Sequence, residues 1–109
     1  ALAARAMRQV LVDYARRYRT ARRGGDLRRV SLSEETTATE RGDTLVALDE
    51  ALERLAALNS RLSQVVECRY FGGLTQEETA EALGVTTRTV ERDWAKARGW
   101  LLLELRGDA

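Results

Sequence analysis

The sequence has no histidine and no proline, a single cysteine, and only 6% aromatic residues in 109 positions. Without histidine, acid–base catalysis would need carboxylates held in a cleft, which slender helices rarely form. Cys68 has neither a cysteine partner for an internal disulfide nor a Cys/His partner for a metal site, and it fits a reducing compartment. These absences predict a protein that is not an enzyme and that carries no cofactor, catalytic site or metal site.

Long apolar runs are also absent. No stretch approaches the ~20 apolar residues that cross a bilayer, and residues 1–10 lack the apolar core of a signal peptide. We therefore expect a cytoplasmic protein with no membrane span.

Good helix formers are abundant instead. Alanine, leucine, arginine and glutamate dominate, and runs of β-branched residues are missing, so the composition predicts an all-α fold. The net charge of +1 hides a segregation, because residues 1–30 carry a net charge of +7 and residues 31–60 a net charge of −5. Such blocks fit either solvated helix faces or a nucleic-acid surface at the basic end.

A basic helix is predicted over residues 2–22. Its apolar residues recur at three- and four-residue spacing and form one stripe, the α1 apolar stripe: Met7, Val10, Leu11, Tyr14 and Tyr18. Gly24 and Gly25 would end this helix. Residues 24–42 are polar and lack helical periodicity, so they are predicted to be a linker.

Four further helices are predicted from start and stop signals. The second helix would begin at Asp43 and bury Leu45, Leu48, Leu52 and Leu55. The third would be capped by Asn59 or Ser60, carry Leu62, Val65, Val66 and Tyr70, and end at Gly72–Gly73. Thr75 and Glu78 form the pattern of a capping box at the start of the fourth, which Gly84 would end. Thr86 would cap a last helix reaching about Arg106.

The last two predicted helices have the spacing of a helix-turn-helix. Ala80 is small where the helices would cross, Gly84 lies in the turn, and Val85, Val90 and Trp94 would fill the angle between them. The outer face of the last helix would present Thr87, Arg88, Glu91, Arg92, Ala95 and Lys96, which suit phosphates and base edges. A purely structural pair of helices is the alternative.

The run LNSRLSQVVECRYFGGLTQEETAEALGVTTRTVERDWAKARGWL resembles region 4 of the sigma-70 family, especially the extracytoplasmic-function (ECF) group. The resemblance implies a four-helix unit whose last helix binds the −35 element of promoter DNA. The implied DNA-binding residues are Thr86, Thr87, Arg88, Thr89, Glu91, Arg92, Lys96 and Arg98. It also implies docking on the β flap of RNA polymerase core, and we expect Asp49, Glu50 and Glu53, with the third helix, to flank that surface.

The segment ARAMRQVLVDYARRYRTARRGG resembles the end of region 2 of the same group, the helix that contacts the −10 element. Its implied promoter contacts are Arg8, Asp13, Arg16, Arg17 and Arg19. The resemblance thus divides the chain into a helix at 1–23, a linker at 24–42 and region 4 at 43–109. Most of region 2 is missing from this order, so the chain resembles the C-terminal part of such a factor.

Other interpretations concern partners and class. The output domain of a LuxR-type response regulator shares the four-helix plan, although the basic first helix and the long last helix argue against it. Region 4 can also act mainly as a binding surface for an anti-sigma protein. Finally, the α1 apolar stripe would lack its region 2 partners, and we expect it to form an intermolecular contact, such as a dimer of the chain, rather than a fixed fold-back.

Overall fold

The computed structural model describes residues 2–23 and 32–106, with side chains described for residues 2–17 and 42–106. Within these ranges the chain is helical and has no strand, which confirms the predicted all-α fold. The helices are α1 (Leu2–Arg23), α2 (Leu32–Leu58), α3 (Ser60–Val66), α4 (Gln76–Leu83) and α5 (Thr87–Arg106), and α3 continues directly into a π-helical segment (Glu67–Phe71).

Helix α1 folds back on the rest of the chain and packs against α2 and the π-helical segment. The α1 apolar stripe does not make this contact, because Met7, Val10 and Tyr14 are about half exposed or more. The face that packs consists of Ala4, Arg8, Val12 and Ala15, all less than 9% exposed. Tyr18, the last residue of the α1 apolar stripe, lies outside the described side chains.

Small residues let α1 lie close to α2 and to Gly72. This close approach explains why the face with Ala4 and Ala15 packs inward and the α1 apolar stripe does not. A Cβ added to Gly72 would lie 2.9 Å from the Cβ of Ala4, and a Cβ added to Gly42 would lie 3.7 Å from that of Ala15. Backbones this close leave no room for Met7 or Tyr14, so the larger apolar side chains face outward. The expectation that α1 does not fold back is therefore wrong. The predicted dimer stays a prediction, because the described part of the stripe is still exposed.

Helix α2 begins at Leu32, whereas the sequence predicted a start at Asp43. Residues 32–42 are thus helical and not an irregular linker, and residues 24–31 lie outside the described residues. Extending an existing helix adds one hydrogen bond for each residue that is fixed, so it needs no apolar stripe once a packed segment has nucleated the helix. The absence of proline permits this extension.

The predicted boundaries of the later helices are confirmed. The Asn59 side chain accepts hydrogen bonds from the backbone N–H groups of Arg61 and Leu62, so Asn59 is the N-cap of α3. Thr75 and Glu78 form the capping box of α4, and Gly84 ends that helix with a φ of 69° in the left-handed region, where glycine is least strained.

Two groups of buried side chains hold α1–α5 together. The larger joins α1, α2, α3, the π-helical segment and α5, and includes Val12, Leu48, Leu52, Leu55, Val66, Phe71, Ala97 and Leu101. The smaller joins α3, α4 and α5 through Val65, Ala80 and Val90. Trp94 packs against both groups, as the sequence predicted for the crossing of α4 and α5.

Candidate nucleic-acid interface

Helices α4 and α5 form a helix-turn-helix whose turn is fixed by backbone hydrogen bonds. The N–H of Val85 donates to the carbonyl of Ala80 over 3.0 Å, and the N–H of Gly84 donates to that of Glu81 over 3.3 Å. Ala80 and Val90 pack against Val65 of α3 on the inner side of the crossing. The outer side of α5 is therefore held at a fixed angle and is free of these contacts.

The first turn of α5 is ordered by two threonines of the predicted DNA-binding set. The Thr86 hydroxyl accepts a hydrogen bond from the N–H of Thr89 over 3.1 Å, and the two hydroxyls are 3.0 Å apart. Thr86 thus caps α5, as predicted, and Thr89 is half-buried beside it. Both hydroxyls are engaged in building the helix terminus, and Thr86 and Thr87 are the two exposed threonines at this end.

The predicted outer face of α5 is exposed along its first three turns. Exposed side chains are Thr87, Arg88, Glu91, Arg92, Ala95 and Lys96. Arg98 is also exposed but lies on another side of the helix, where it lines a groove together with Trp94 and Leu101. The structure therefore groups Arg88, Arg92 and Lys96 and separates Arg98 from them.

Asp93 is a buried member of α5 that the sequence analysis missed. It is only 2% exposed, and both of its carboxylate oxygens accept hydrogen bonds from the guanidinium of Arg61 on α3. These bonds raise the pKa of Arg61 above its ordinary value. The position could have been found from spacing, because Asp93 lies three residues after Val90 and four before Ala97 on the inner side of α5.

The predicted promoter contacts of α1 have different surroundings. Arg17 and Asp13 are exposed, and Arg16 is half-buried, with Nη2 3.4 Å from Asp49 Oδ2. Arg19 lies outside the described side chains. Arg8 is buried in a cluster of carboxylates contributed by α2 and the π-helical segment.

Three carboxylates surround Arg8 and form what we term the acidic pocket: Asp49, Glu53 and Glu67. Arg8 Nε donates to Asp49 Oδ1 over 2.8 Å, Nη1 to Glu67 Oε2 over 2.9 Å, and Nη2 to Glu53 Oε1 over 3.0 Å and to the Asp49 carbonyl over 3.1 Å. Burial opposes the charge of Arg8, but the hydrogen bonds to Glu67 and Asp49 outweigh it, so the pKa of Arg8 is raised.

The acidic pocket alters the expectation for the polymerase-facing surface. Asp49 and Glu53, two of the three acids predicted to flank it, are paired with Arg8 of α1. Glu50 is exposed. Of these three acids, Glu50 alone offers its side chain to a partner without first breaking an ion pair to Arg8.

An apolar groove of about 300 Å³ lies between α2, α5 and the continuous stretch of α3 and the π-helical segment. Tyr70, Leu102 and Leu105 line it and are 40–56% exposed, and Leu48, Val66 and Leu101 form its floor. Exposed leucines beside a concave floor are typical of a surface that receives another apolar segment.

Comparison with known protein families gives a match over nearly the whole chain. The family model described as ECF sigma factor matches residues 1–107. No curated protein and no solved structure was found to be similar to the chain. Among the described helices, none is both long enough and apolar enough to cross a membrane.

Proposed function

Because this chain belongs to the ECF sigma factor family, we propose that it contacts the −35 element of its promoters through α5 and docks on RNA polymerase through the surface formed by α2, α3 and α5. Membership of the family makes it a factor for promoter recognition in transcription initiation, with promoter DNA and RNA polymerase core as partners. It is not an enzyme. We place it in the cytoplasm, where bacterial transcription takes place.

The observation that carries the −35 proposal is the exposed face of α5 next to its capped N-terminus. A recognition helix contacts base edges with residues of its first turns, and its N-terminal N–H groups attract phosphate. Thr87, Arg88 and Arg92 are exposed there. Arginine suits this role because its guanidinium bonds guanine through two nitrogens. Glu91, on the same face, adds an acceptor for a cytosine amino group.

Base contact predicts a loss of discrimination when either arginine is shortened. We expect Arg88→Ala or Arg92→Ala to lose about 1–3 kcal/mol of discrimination at one promoter position. Binding titrations on a set of duplexes with single base-pair changes would measure this. Equal weakening on every duplex would remove the residue from base contact and leave it as a phosphate ligand.

Lys96 is proposed to contact a DNA phosphate, and it provides a comparison for the base contacts proposed for Arg88 and Arg92. Lys96→Ala should weaken binding by a similar factor on all duplexes and reduce the slope of log affinity against log salt by about 0.9, one phosphate's worth of released counterions. A change at one base pair only, with an unaltered salt slope, would contradict this assignment. Arg98 is the weakest member of the set, because it lines the apolar groove.

The N-terminal helix is proposed to contact the −10 element through Arg8, Arg16, Arg17 and Arg19, with Asp13 beside them. In this proposal residues 1–23 and 43–109 are separate functional parts joined by residues 24–42. Exposed Arg17 supports it, whereas Arg8 could act only after leaving the acidic pocket.

For polymerase docking, the apolar groove is the supporting feature. Leu102 lines this groove, so an apolar segment of the β flap bound there would bury it. Leu103 lies outside the groove lining and is 73% exposed, so it would stay exposed. We expect Leu102→Asp to weaken flap binding by at least roughly tenfold, because burying a leucine contributes about 1.5–3 kcal/mol. Pull-down of the isolated flap domain measures this, with Leu103→Asp as the control.

Equal flap binding by the two aspartate variants would place the docking surface elsewhere. Glu50→Lys in the same assay tests the predicted acidic rim, since Glu50 is exposed and Glu53 also holds Arg8. DNA binding in the absence of polymerase should not change in any of these variants.

Two other interpretations of the sequence are a LuxR-type output domain and a binding surface for an anti-sigma protein. The match over residues 1–107 favours a sigma factor over a LuxR-type output domain. An anti-sigma partner stays a prediction from the resemblance, and co-purification of such a protein would test it.

A further inference from the structure

The contact between α1 and α2 depends on one charged residue to an unusual degree. The Arg8 side chain is only 10% exposed, and the Glu67 side chain beneath it is 5% exposed. All three guanidinium nitrogens donate to the acidic pocket or to the adjacent carbonyl of Asp49. A buried charge is tolerated only when it is paired and hydrogen-bonded in this way.

The same arginine belongs to the set that resembles promoter contacts. Carboxylates and phosphates accept hydrogen bonds from a guanidinium with the same geometry. The acidic pocket therefore occupies the positions that phosphate oxygens would take around Arg8. With its nitrogens committed to Asp49, Glu53 and Glu67, Arg8 cannot also bind DNA.

We propose that the acidic pocket is an autoinhibitory latch that holds α1 against α2 and the π-helical segment, so that latching and DNA binding by α1 exclude each other. The inference rests on the proposed promoter contact of α1. In the free chain, α1 is docked and its arginine is masked. When α1 is transferred to DNA, phosphates replace the three carboxylates.

The interface has the features of a contact that can open. Its apolar part consists of the small or medium side chains Ala4, Val12 and Ala15, and the larger α1 apolar stripe stays outside. A cleft of about 220 Å³ borders the cluster and is also lined by Arg5, Gln9 and Asp13. The Glu53 side chain is 69% exposed, so competing ions reach the cluster from this side.

Disulfide trapping measures the latched population directly. A Cβ at Gly42 would lie 3.7 Å from that of Ala15, a normal Cβ separation for a disulfide. In the whole chain carrying Ala15→Cys and Gly42→Cys, the rate of oxidation reports how often α1 is docked. Cys68 is fully buried and does not compete. The double variant Ala15→Cys with Ala57→Cys, at a distant exposed position of α2, controls for random encounters.

Charge removal should open the latch. Asp49→Asn with Glu53→Gln in the trapping background is expected to slow cross-linking by about tenfold, which requires the docked fraction of α1 to fall from near one to about a tenth. Glu50→Gln, on the same helix but without a bond to Arg8, should not alter the rate. Circular dichroism checks that the variants remain folded, and Glu53→Gln alone, at an exposed side chain, provides a mild variant. Equal rates in the charge variants and in Glu50→Gln would overturn the latch.

DNA binding should also release α1 from the acidic pocket. A saturating short duplex of mixed sequence, which binds through phosphates, is expected to slow cross-linking of the otherwise unchanged chain by about tenfold. In turn, the oxidised, locked chain should bind this duplex more weakly than the reduced chain. An unaltered rate on saturating DNA would overturn mutual exclusion. Failure of the proposed promoter contact of α1 would appear separately, as unchanged affinity of the reduced chain for DNA on Arg17→Ala, with the charge dependence of trapping intact.

Discussion

Replacing Trp94 by alanine is expected to lower the free energy of unfolding by about 3 kcal/mol, near the lower end of the range for core tryptophans because the ring is half-buried. Trp94 packs against both buried groups, so its removal loosens the α4–α5 crossing and the contact of α5 with α2 together. The Arg69 guanidinium lies 5.1 Å from the ring centroid and would also lose its partner. Urea titration followed by circular dichroism measures the change.

Trp100 provides the matched control. It is also half-buried in α5, but it packs against the larger group only. We expect Trp100→Ala to cost clearly less than Trp94→Ala. A loss of 3 kcal/mol is a large part of the stability of a small domain, so Trp94→Ala should also abolish DNA binding at elevated temperature before the wild-type chain loses it. Equal stability of Trp94→Ala and the wild type would mean that the angle between α4 and α5 does not depend on this ring.

Local signals in the sequence were sufficient for the second half of the fold. Asn59, Thr75 and Thr86 each satisfy backbone N–H groups of the turn that follows them, and Gly84 takes the left-handed conformation. These interactions span three or four residues, so a single sequence contains both partners. The exposed face of α5 followed from the same helical periodicity once Val90, Ala97 and Leu101 were assigned to the core.

Long-range pairing explains what the sequence did not reveal about α1. Its most apolar face is exposed, because the close approach at Gly72 favours alanine over larger side chains. Arg8 is buried because carboxylates 41 and 59 residues away neutralise it. Periodicity cannot predict such a face, since it assigns every arginine to solvent until a specific partner is known. For Asp93, the spacing from Val90 and Ala97 indicates the inner side of α5, but it does not indicate the partner Arg61, which lies on another helix.

Replacing Arg8 by alanine is the sharpest measure of how much the buried cluster contributes. Removing one partner of a buried ion pair typically costs about 3–5 kcal/mol, because the remaining charge stays buried without compensation. In Arg8→Ala this uncompensated buried charge would be the carboxylate of Glu67, which is 4% exposed. We expect the loss to fall on the docking of α1 rather than on the whole fold, since the capped helices α3, α4 and α5 keep their own buried group. Hydrogen exchange should therefore accelerate in residues 2–17 while the amides of α5 remain protected.

Two further variants separate charge burial from the loss of a side chain. Arg17→Ala removes an exposed arginine of the same helix, and we expect a change within about 0.5 kcal/mol. Adding Glu67→Gln to Arg8→Ala should recover part of the lost protection, because a neutral amide is less costly to bury than a carboxylate. If exchange accelerated equally in α1 and α5, α1 would be an integral part of the core. The contact of α1 with α2 and the π-helical segment could not then open without unfolding the helix-turn-helix.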